Sequence, residues 1–496
     1  MQTYLGIDQG STSTKAVLLN DQGEALYTVQ IAAPPRHEDD RIVEQDAQGL
    51  LHSVLNCFDA ARTWTEQYNI SLSAVGLSVQ RSGVVAWNSR DGMPMCPMIT
   101  WADTRTHIII DEIGRGAERI SLMTGIPTIA HFAAGKVRLL QKRFLNPSVH
   151  VATLDTFLLS HLTKQGSYIT EDTMAARTML YALDDRGWNE QLCRDFGVDR
   201  KRLPDISASI AHHATYQGVP IVACIGDQQA ALLGRSRVTK RPLLNLGTIA
   251  SLAVDTGAEV VRKTGLISSV LFSQERMFGG GREMRYLVET TSPVTGTVLL
   301  EPIRRSWATT SESLDQMCKA AAATNPAGLA TAYFVNHRAV LPSHPDGVPN
   351  VTVCKLGANE ADRARAIVEN VGNLVVRMLE EFGDKGLLGD SFPCEIDIAG
   401  GGSELDFLVQ YIADVSGHIF HRMAEREASA RGAALCAWMF GKRDAEVSAL
   451  NTASPIKSYR CENPERRRRY LMWQRMEKDV LNRTLPVQAE IESSQI

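Results

Sequence analysis

Four stretches of this 496-residue chain carry side chains that could do chemistry together. The first is Asp8-Gln9-Gly10-Ser11-Thr12-Ser13-Thr14-Lys15. Gly10 lets the backbone turn tightly and approach a ligand. Turn amides and the hydroxyls of Ser11, Thr12 and Ser13 can converge on an anion. Asp8 cannot bind phosphate directly, but it can hold a divalent cation, or that cation's hydration shell, beside one. The stretch suits a metal–polyphosphate; an ordinary polar hairpin turn would look the same. The second stretch, Asn245-Leu246-Gly247-Thr248, offers the same kind of surface, and two such turns are more specific than one. The third, Gly400-Gly401-Gly402-Ser403, follows an apolar strand and reads as opening a helix. A nucleotide can press against backbone in that context. No Lys-Ser/Thr follows it, so it is not a Walker A loop, and a structural strand-to-helix turn is the alternative.

The fourth stretch, Gly226-Asp227-Gln228-Gln229, lies between an apolar strand and a helix. Asp227 can take the proton from an attacking hydroxyl. Phosphoryl transfer needs little else beyond positioning and charge stabilisation. A lone Asp at a helix start is more often an N-cap. Two further stretches could line a substrate pocket: Gln80-Arg81-Ser82, and Trp101-Ala102-Asp103-Thr104-Arg105. Arg and Gln side chains can bond sugar hydroxyls, and a Trp face can cover the apolar side of a polyol. Taken singly, such residues are more often structural.

These residues need elements to position them. Residues 4–26 read as strand, small-residue turn, strand, and a polar Asp-Gln-Gly turn. Apolar residues at helical spacing (Leu50, Leu51, Val54, Leu55, Phe58) predict a helix over 46–64. Strands are expected at 73–80 and 83–88, with an Asp91-Gly92 turn after them. Helical stretches then dominate to about residue 215. Residues 220–234 read as strand, Gly-Asp turn and helix. Residues 241–257 repeat the opening pattern of strand, Gly-Thr turn and strand. A long amphipathic helix is expected at 360–383, a strand, glycine turn and helix at 394–417, and a small-residue helix at 429–441. The repeated hairpin, near 4 and near 243, points to a duplicated α/β domain with a cleft between the copies. The expected boundaries are 1–238, 239–450 and a tail at 451–496 with a closing helix. The run Arg466-Arg467-Arg468-Arg469 reads as a solvated helix face, or else as a polyanion or partner contact.

Composition narrows the classes. The chain is 44% hydrophobic and 22% charged, with a net charge of −4. No basic excess calls for nucleic acid. The nine cysteines are scattered without a CxxC pair, against structural zinc or a disulfide framework and in favour of reduced thiols. No run approaches the ~18 apolar residues of a membrane span, and no signal peptide is legible. A soluble, cytoplasmic protein with no membrane or nucleic-acid partner is expected.

Taken in order, the stretches resemble the FGGY family of carbohydrate kinases over roughly residues 4 to 445. The matching segments include "GIDQGSTSTKAVLLNDQGE", "SVQRSGVVAWNSRDGMPMCPMITWADTRT", "TEDTMAARTMLY", "GDQQAALLG" and "AGGGSELDFLVQYIADVSG". The resemblance implies two ribonuclease-H-like lobes of the actin/hexokinase-like ATPase kind, MgATP, and phosphorylation of a sugar or polyol hydroxyl. Gln80-Arg81, Trp101 and Gly226-Asp227-Gln228-Gln229 look most like the glycerol kinase branch. Carried over, Asp8 lies by the magnesium. Ser11, Thr12, Ser13 and Lys15 line the first phosphate turn, with Gly247 and Thr248 on the second. Gly401 and Gly402 face the adenosine, and Asp227 is the general base. Arg81, Gln80, Ser82, Trp101, His131 and Gln228 form the pocket for a small sugar, sugar acid or polyol.

The chain departs from that branch. Glycerol kinases carry Arg-Glu where this chain has Arg81-Ser82, and a Tyr where it has His131. Their second turn commonly reads Gly-Thr-Gly against Gly247-Thr248-Ile249, and 333–350 replaces a familiar segment. These changes argue against glycerol itself and suggest a larger or differently shaped substrate. An inactive ATP-binding regulator on the same fold is the alternative, and a chaperone- or actin-like ATPase is a more distant one. The resemblance leaves a homodimer or homotetramer open.

Overall fold

A computed structural model describes residues 2–39, 41–163, 166–235, 241–247, 250–263, 265–275, 281–292, 300, 310–325, 331–334, 351–354, 359–389, 392–423, 427–440, 442 and 455–477. Thr248, most of 333–350 and the last residues of the chain lie outside them. The structure divides into two units, each discontinuous in sequence. One comprises Met1–Lys240, Asp255–Val288 and Glu425–Ser454; the other comprises Arg241–Val254, Glu289–Ala424 and Pro455–Ile496.

In the first unit the opening residues form the expected hairpin. Strand Gln2–Gln9 pairs antiparallel with Ser13–Asn20, which pairs antiparallel with Ala25–Ala32. On its other edge Gln2–Gln9 lies parallel to Ser71–Val79, which lies parallel to Val219–Gly226. Antiparallel strands therefore give way to parallel ones, and both catalytic candidates sit at strand ends, Asp8 near one and Asp227 just past another. The helix Ala47–Gln67 covers the sheet. Asp46 caps it by accepting from the amides of Gln48 and Gly49, and Leu50, Leu51, Val54 and Phe58 form its buried stripe.

Ala428–Met439 also belongs to the first unit and is buried almost all round. Small residues are required there. A Cβ on Gly432 would meet the carbonyl oxygen of Ala230 at 1.9 Å. That contact holds the small-residue helix against the helix Asp227–Gly234, whose first residue is the proposed base.

The region before residue 215 is less helical than the sequence suggests. Strands Val149–Thr153, Ile169–Glu171, Asp205–Ser207 and Ile210–Tyr216 interrupt it. At three residues each, Ile169–Glu171 and Asp205–Ser207 are too short to show a period-2 run.

The second unit opens on its own hairpin, Leu243–Leu246 pairing antiparallel with 250–253. Strand Glu395–Ala399 lies parallel to Leu243–Leu246, and Ile419–Arg422 parallel to it in turn. The pattern of hairpin followed by parallel strands is thus repeated. The amphipathic helix spans Glu360–Asp384, with a capping box between Asn359 and Asp362.

Two expectations are corrected here. The glycine stretch does not open the α-helix: Gly401–Glu404 forms a 3-10 turn, and the α-helix begins at Asp406. The arginine run is neither a solvated face nor a free polyanion site. Residues 465–477 are helical, and Arg466 pairs with buried Asp414 at 3.0 Å, Arg467 with Glu380 at 2.6 Å and Arg469 with buried Glu369 at 2.5 Å. Only Arg468 of the four points mainly to solvent, 80% exposed. Spacing alone could not show this, because the partners lie some 50 to 100 residues earlier.

Candidate active site

The first hairpin turn is tied down on several sides. The Gly10 amide donates to Ser13 O, the Gln45 amide nitrogen to Ser11 O, and the Ala33 amide to Thr12 O. Ser11 is half-buried and Thr12 exposed, while Ser13 already belongs to the second strand. Asp8 and Lys15 face each other across the hairpin register. The Lys15 ammonium lies 2.8 Å from Glu427.

The Asp8 carboxylate accepts a 2.7 Å bond from Ser78 Oγ. Burial pushes its carboxyl up to about 7. The Ser78 bond pulls it down, the carboxylates of Asp227 and Glu427 push it further up, and Lys15 opposes them. Negative charge is therefore under-compensated at Asp8, and a cation placed there would relieve it. Among the described residues no three His, Cys, Asp or Glu side chains come together as a metal cluster. A cation at Asp8 would thus take its other ligands from phosphate oxygens and water, as magnesium commonly does. Asp8 and the hydroxyl-bearing turn fit a magnesium–nucleotide.

Asp227 is not the N-cap. Gly226 holds that place in extended conformation, and Asp227 begins the helix. Its Oδ1 lies 3.0 Å from Arg81 Nε and accepts from the Gln228 amide at 2.8 Å. Arg81 also donates to Gln229 Oε1 at 3.3 Å, and Gln229 is anchored to Val270 O. A Cβ on Gly226 would lie 2.8 Å from both Arg81 Cδ and Gln229 Oε1, so a larger residue there would push the side chains around Asp227 aside.

The His131 ring lies close enough to Arg81 to feel its charge, with the Trp101 ring 5.4 Å from it and Phe132 edge-on to it. Burial drives the His131 imidazole down to about 3, and the nearby cations of Lys136, Arg81 and Arg177 add to that, so the ring is neutral. Ser82 is buried in a left-handed conformation, φ 64°. Its carbonyl and that of His131 both accept from Lys136 Nζ, at 3.1 and 2.7 Å. Burial draws this ammonium down to about 7.

Some expected pocket residues face elsewhere. Gln80 is buried and bonds Gln9, tying the strand Ser71–Val79 to the first turn. Asp103 and Arg105 are engaged with each other, with Glu44 and with the Val43 amide. Gln228 is half-buried beside Asp227. Ser78, Lys136, Glu171 and Thr173 are not among the residues expected from the sequence, and Gln229 is expected only as part of the Gly226–Gln229 stretch. The acid pair in "TEDT" is the one local signal for Glu171 and Thr173; Lys136 lies in a helix that also carries Arg138, Lys142 and Arg143, so nothing in its spacing marks it.

In the second unit Gly400, at φ 86°, lies against Asn245 and Leu246, just before Gly247. Gly401 is exposed and Gly402 buried. The Ser403 hydroxyl donates to Gly400 O at 2.7 Å and fixes the turn. The two glycine stretches of this unit, far apart in sequence, thus form one surface.

Comparison with known proteins agrees with this layout. The model of the FGGY family of carbohydrate kinases, N-terminal domain, matches residues 3–234, and that of its C-terminal domain matches 245–440. A probable glycerol kinase of Caenorhabditis elegans is 30% identical over 322 residues, 60% of this chain and 63% of that protein. A glycerol kinase of Pseudarthrobacter chlorophenolicus is 26% identical over 502 residues, 96% of this chain and 97% of that protein. The crystal structure of Plasmodium falciparum glycerol kinase with ADP superposes with a TM-score of 0.84 at 18% identity, covering 97% of this chain and 98% of that one. A xylulose kinase from Rhodospirillum rubrum gives 0.81 at 16% identity, covering 98% and 99%. The fold is thus the two-domain, actin/hexokinase-like ATPase fold, and this chain belongs to the FGGY family of carbohydrate kinases.

Proposed function

We propose that the chain is an ATP-dependent kinase that transfers the γ-phosphate of MgATP to a hydroxyl of a small sugar, sugar acid or polyol. The observation that carries this reading is the pair formed by Asp227 and Arg81 in the same unit as an under-compensated Asp8. Asp227 takes the proton of the acceptor hydroxyl as its oxygen forms the new O–P bond, and ADP leaves with the electrons of the bond that breaks. Magnesium, when bound, supplies charge neutralisation at the phosphates. Asp8 would hold that cation. Arg81 keeps the Asp227 carboxylate oriented. Trp101 and neutral His131 present ring faces and a hydrogen-bonding edge to the acceptor.

Ser82 in place of a carboxylate favours an acceptor other than glycerol, since a site built for one hydroxyl pattern discriminates steeply. The relatives named glycerol kinase support the reaction class, and the departures at Ser82 and His131 leave the acceptor to experiment. The test is ADP release from MgATP with polyols, ketoses, aldoses and sugar acids, glycerol included. Stimulation by one class is expected. ATP binding without stimulation by any of them would overturn the reading and favour the regulator.

A further inference from the structure

We propose that Glu171 and Thr173 form a buried positioning arm that fixes Asp227 and sets the transfer rate. The inference rests on the reading of Asp227 as the general base. Strand Ile169–Glu171 runs directly into the short helix Asp172–Ala175. From that helix Thr173 Oγ1 reaches the last residue of the strand Val219–Gly226 and accepts a 2.8 Å bond from the N–H of Gly226. Gly226 is the residue before Asp227.

The threonine hydroxyl has one proton, and it is donated to Glu171 Oε1 in a short bond. Its lone pair is therefore left facing Gly226. Glu171 cannot swing away. Its Oε1 also accepts from the Met174 amide at 2.7 Å, and its Oε2 from the Thr173 amide at 2.8 Å and Ser209 Oγ at 2.7 Å. Four donors thus converge on one carboxyl, and Glu171, Thr173 and Ser209 are all 0% exposed. Burial pushes the Glu171 carboxyl up to about 8, against the pull of these bonds.

The arm has its own footing. The Ser209 amide donates to Ser273 Oγ at 2.9 Å, and the Ser273 amide to Ser209 Oγ at 3.1 Å. Ser273 Oγ in turn donates to Asp172 at 2.6 Å, and Tyr181 and Arg282 hold Asp172 at 2.9 and 3.0 Å. On the other side, Arg81 and the Gln228 amide grip only the side chain of Asp227. The Ser429 hydroxyl holds its carbonyl at 3.1 Å. The Thr173 bond fixes the main chain before the base, where a small rotation would displace the whole carboxylate. The link from Glu171 and Thr173 to Asp227 runs through Gly226.

The test compares Thr173→Val, Thr173→Ser and Glu171→Gln with the wild type. Two readouts are taken: amide hydrogen exchange at Gly226, and kcat and KM with MgATP and glycerol, D-xylulose or D-gluconate. In Thr173→Val, exchange at Gly226 should rise roughly 10-fold or more, as one hydrogen bond is lost. There kcat should fall by ~10–100-fold, the scale of a slightly misplaced catalytic group. Acceptor KM should stay within about twofold. Thr173→Ser keeps the hydroxyl and should restore both readouts, while Glu171→Gln should lie between. Unchanged exchange in Thr173→Val overturns the inference whatever the acceptor, and so does faster exchange with unchanged kcat. If Thr173→Val does not fold, Glu171→Gln decides by the same two readouts. Absence of wild-type turnover with all three acceptors would count against the kinase reading instead, and exchange alone would then decide the arm.

Discussion

Arg81 binds Asp227 through Nε at 3.0 Å and, with Nη1, the side-chain oxygen of Gln229 at 3.3 Å. One guanidinium thus spans residues one and three of the helix that carries the proposed base. Asp227→Ala should keep ATP binding and lose transfer by ~10²–10⁴ or more, the usual scale for a general base. Arg81→Lys retains the charge but not the fork. It should lower kcat less than Asp227→Ala does, while leaving the KM for ATP unchanged. Steady-state kinetics with nucleotide titrations checks both, and near-wild-type turnover in Asp227→Ala would remove Asp227 from the mechanism.

Asp8 predicts a pH dependence with a definite sign. Its carboxyl ionises near 3.8 in the unfolded chain and near 7 in the folded one. Between those values the folded state binds the extra proton, so Asp8 costs progressively more stability as pH rises from about 4 to 7, and the full cost remains above that. Asp8→Asn should therefore raise the melting temperature at pH 8, by about 1–2 °C for each kcal/mol relieved in a chain of this length. It should change the melting temperature little at pH 4 and remove MgATP-dependent transfer. Added magnesium nucleotide should raise the wild-type melting temperature at pH 8 and not that of Asp8→Asn. Scanning fluorimetry at the two pH values tells these outcomes apart, and a melting temperature lowered at pH 8 would contradict the charge assignment.

Much of the framework was legible because it is local. Leu50, Leu51, Val54 and Phe58 mark their helix by spacing, and each hairpin carries its own turn residues. The positions of Asp8 and Asp227 followed from strand ends. What was not legible depends on contacts distant in sequence. Gln80 reads as a pocket residue until its amide is found on Gln9 across a parallel strand pair. Arg105 reads as a sugar ligand until Glu44 and Asp103 are beside it. Thr173 and Gly226 are 53 residues apart, and neither signals the other.

The arginine run predicts a contrast within four residues. Glu369 is buried and accepts from Arg469 at 2.5 and 3.2 Å and from Arg365 at 2.8 Å. Arg469→Ala removes part of the compensation of a buried carboxylate and should cost about 1–3 kcal/mol. Among the described residues Arg468 pairs only with exposed Glu465, so Arg468→Ala should change stability by less than about 0.5 kcal/mol. Denaturant unfolding of the two variants side by side measures the difference, and equal effects would argue against a structural role for the 465–477 helix.

Gly401 separates a nucleotide surface from a merely structural turn. Its neighbour Gly400 is locked by a positive φ and by Asn245 and Leu246 at its back, so substitution there would disturb folding whatever binds. Gly401 is different. It is exposed, and a Cβ on it meets nothing within 4 Å. Gly401→Ala should therefore fold with an unchanged melting temperature. If the adenosine lies against this backbone, the added methyl occupies the space of close approach. KM for ATP should then rise by roughly tenfold, about 1.4 kcal/mol of lost binding, with acceptor KM unchanged. Nucleotide titration calorimetry on the folded variant reads this directly. An unchanged ATP affinity would take Gly401 out of the nucleotide site while leaving the roles of Asp8 and Asp227 as they stand.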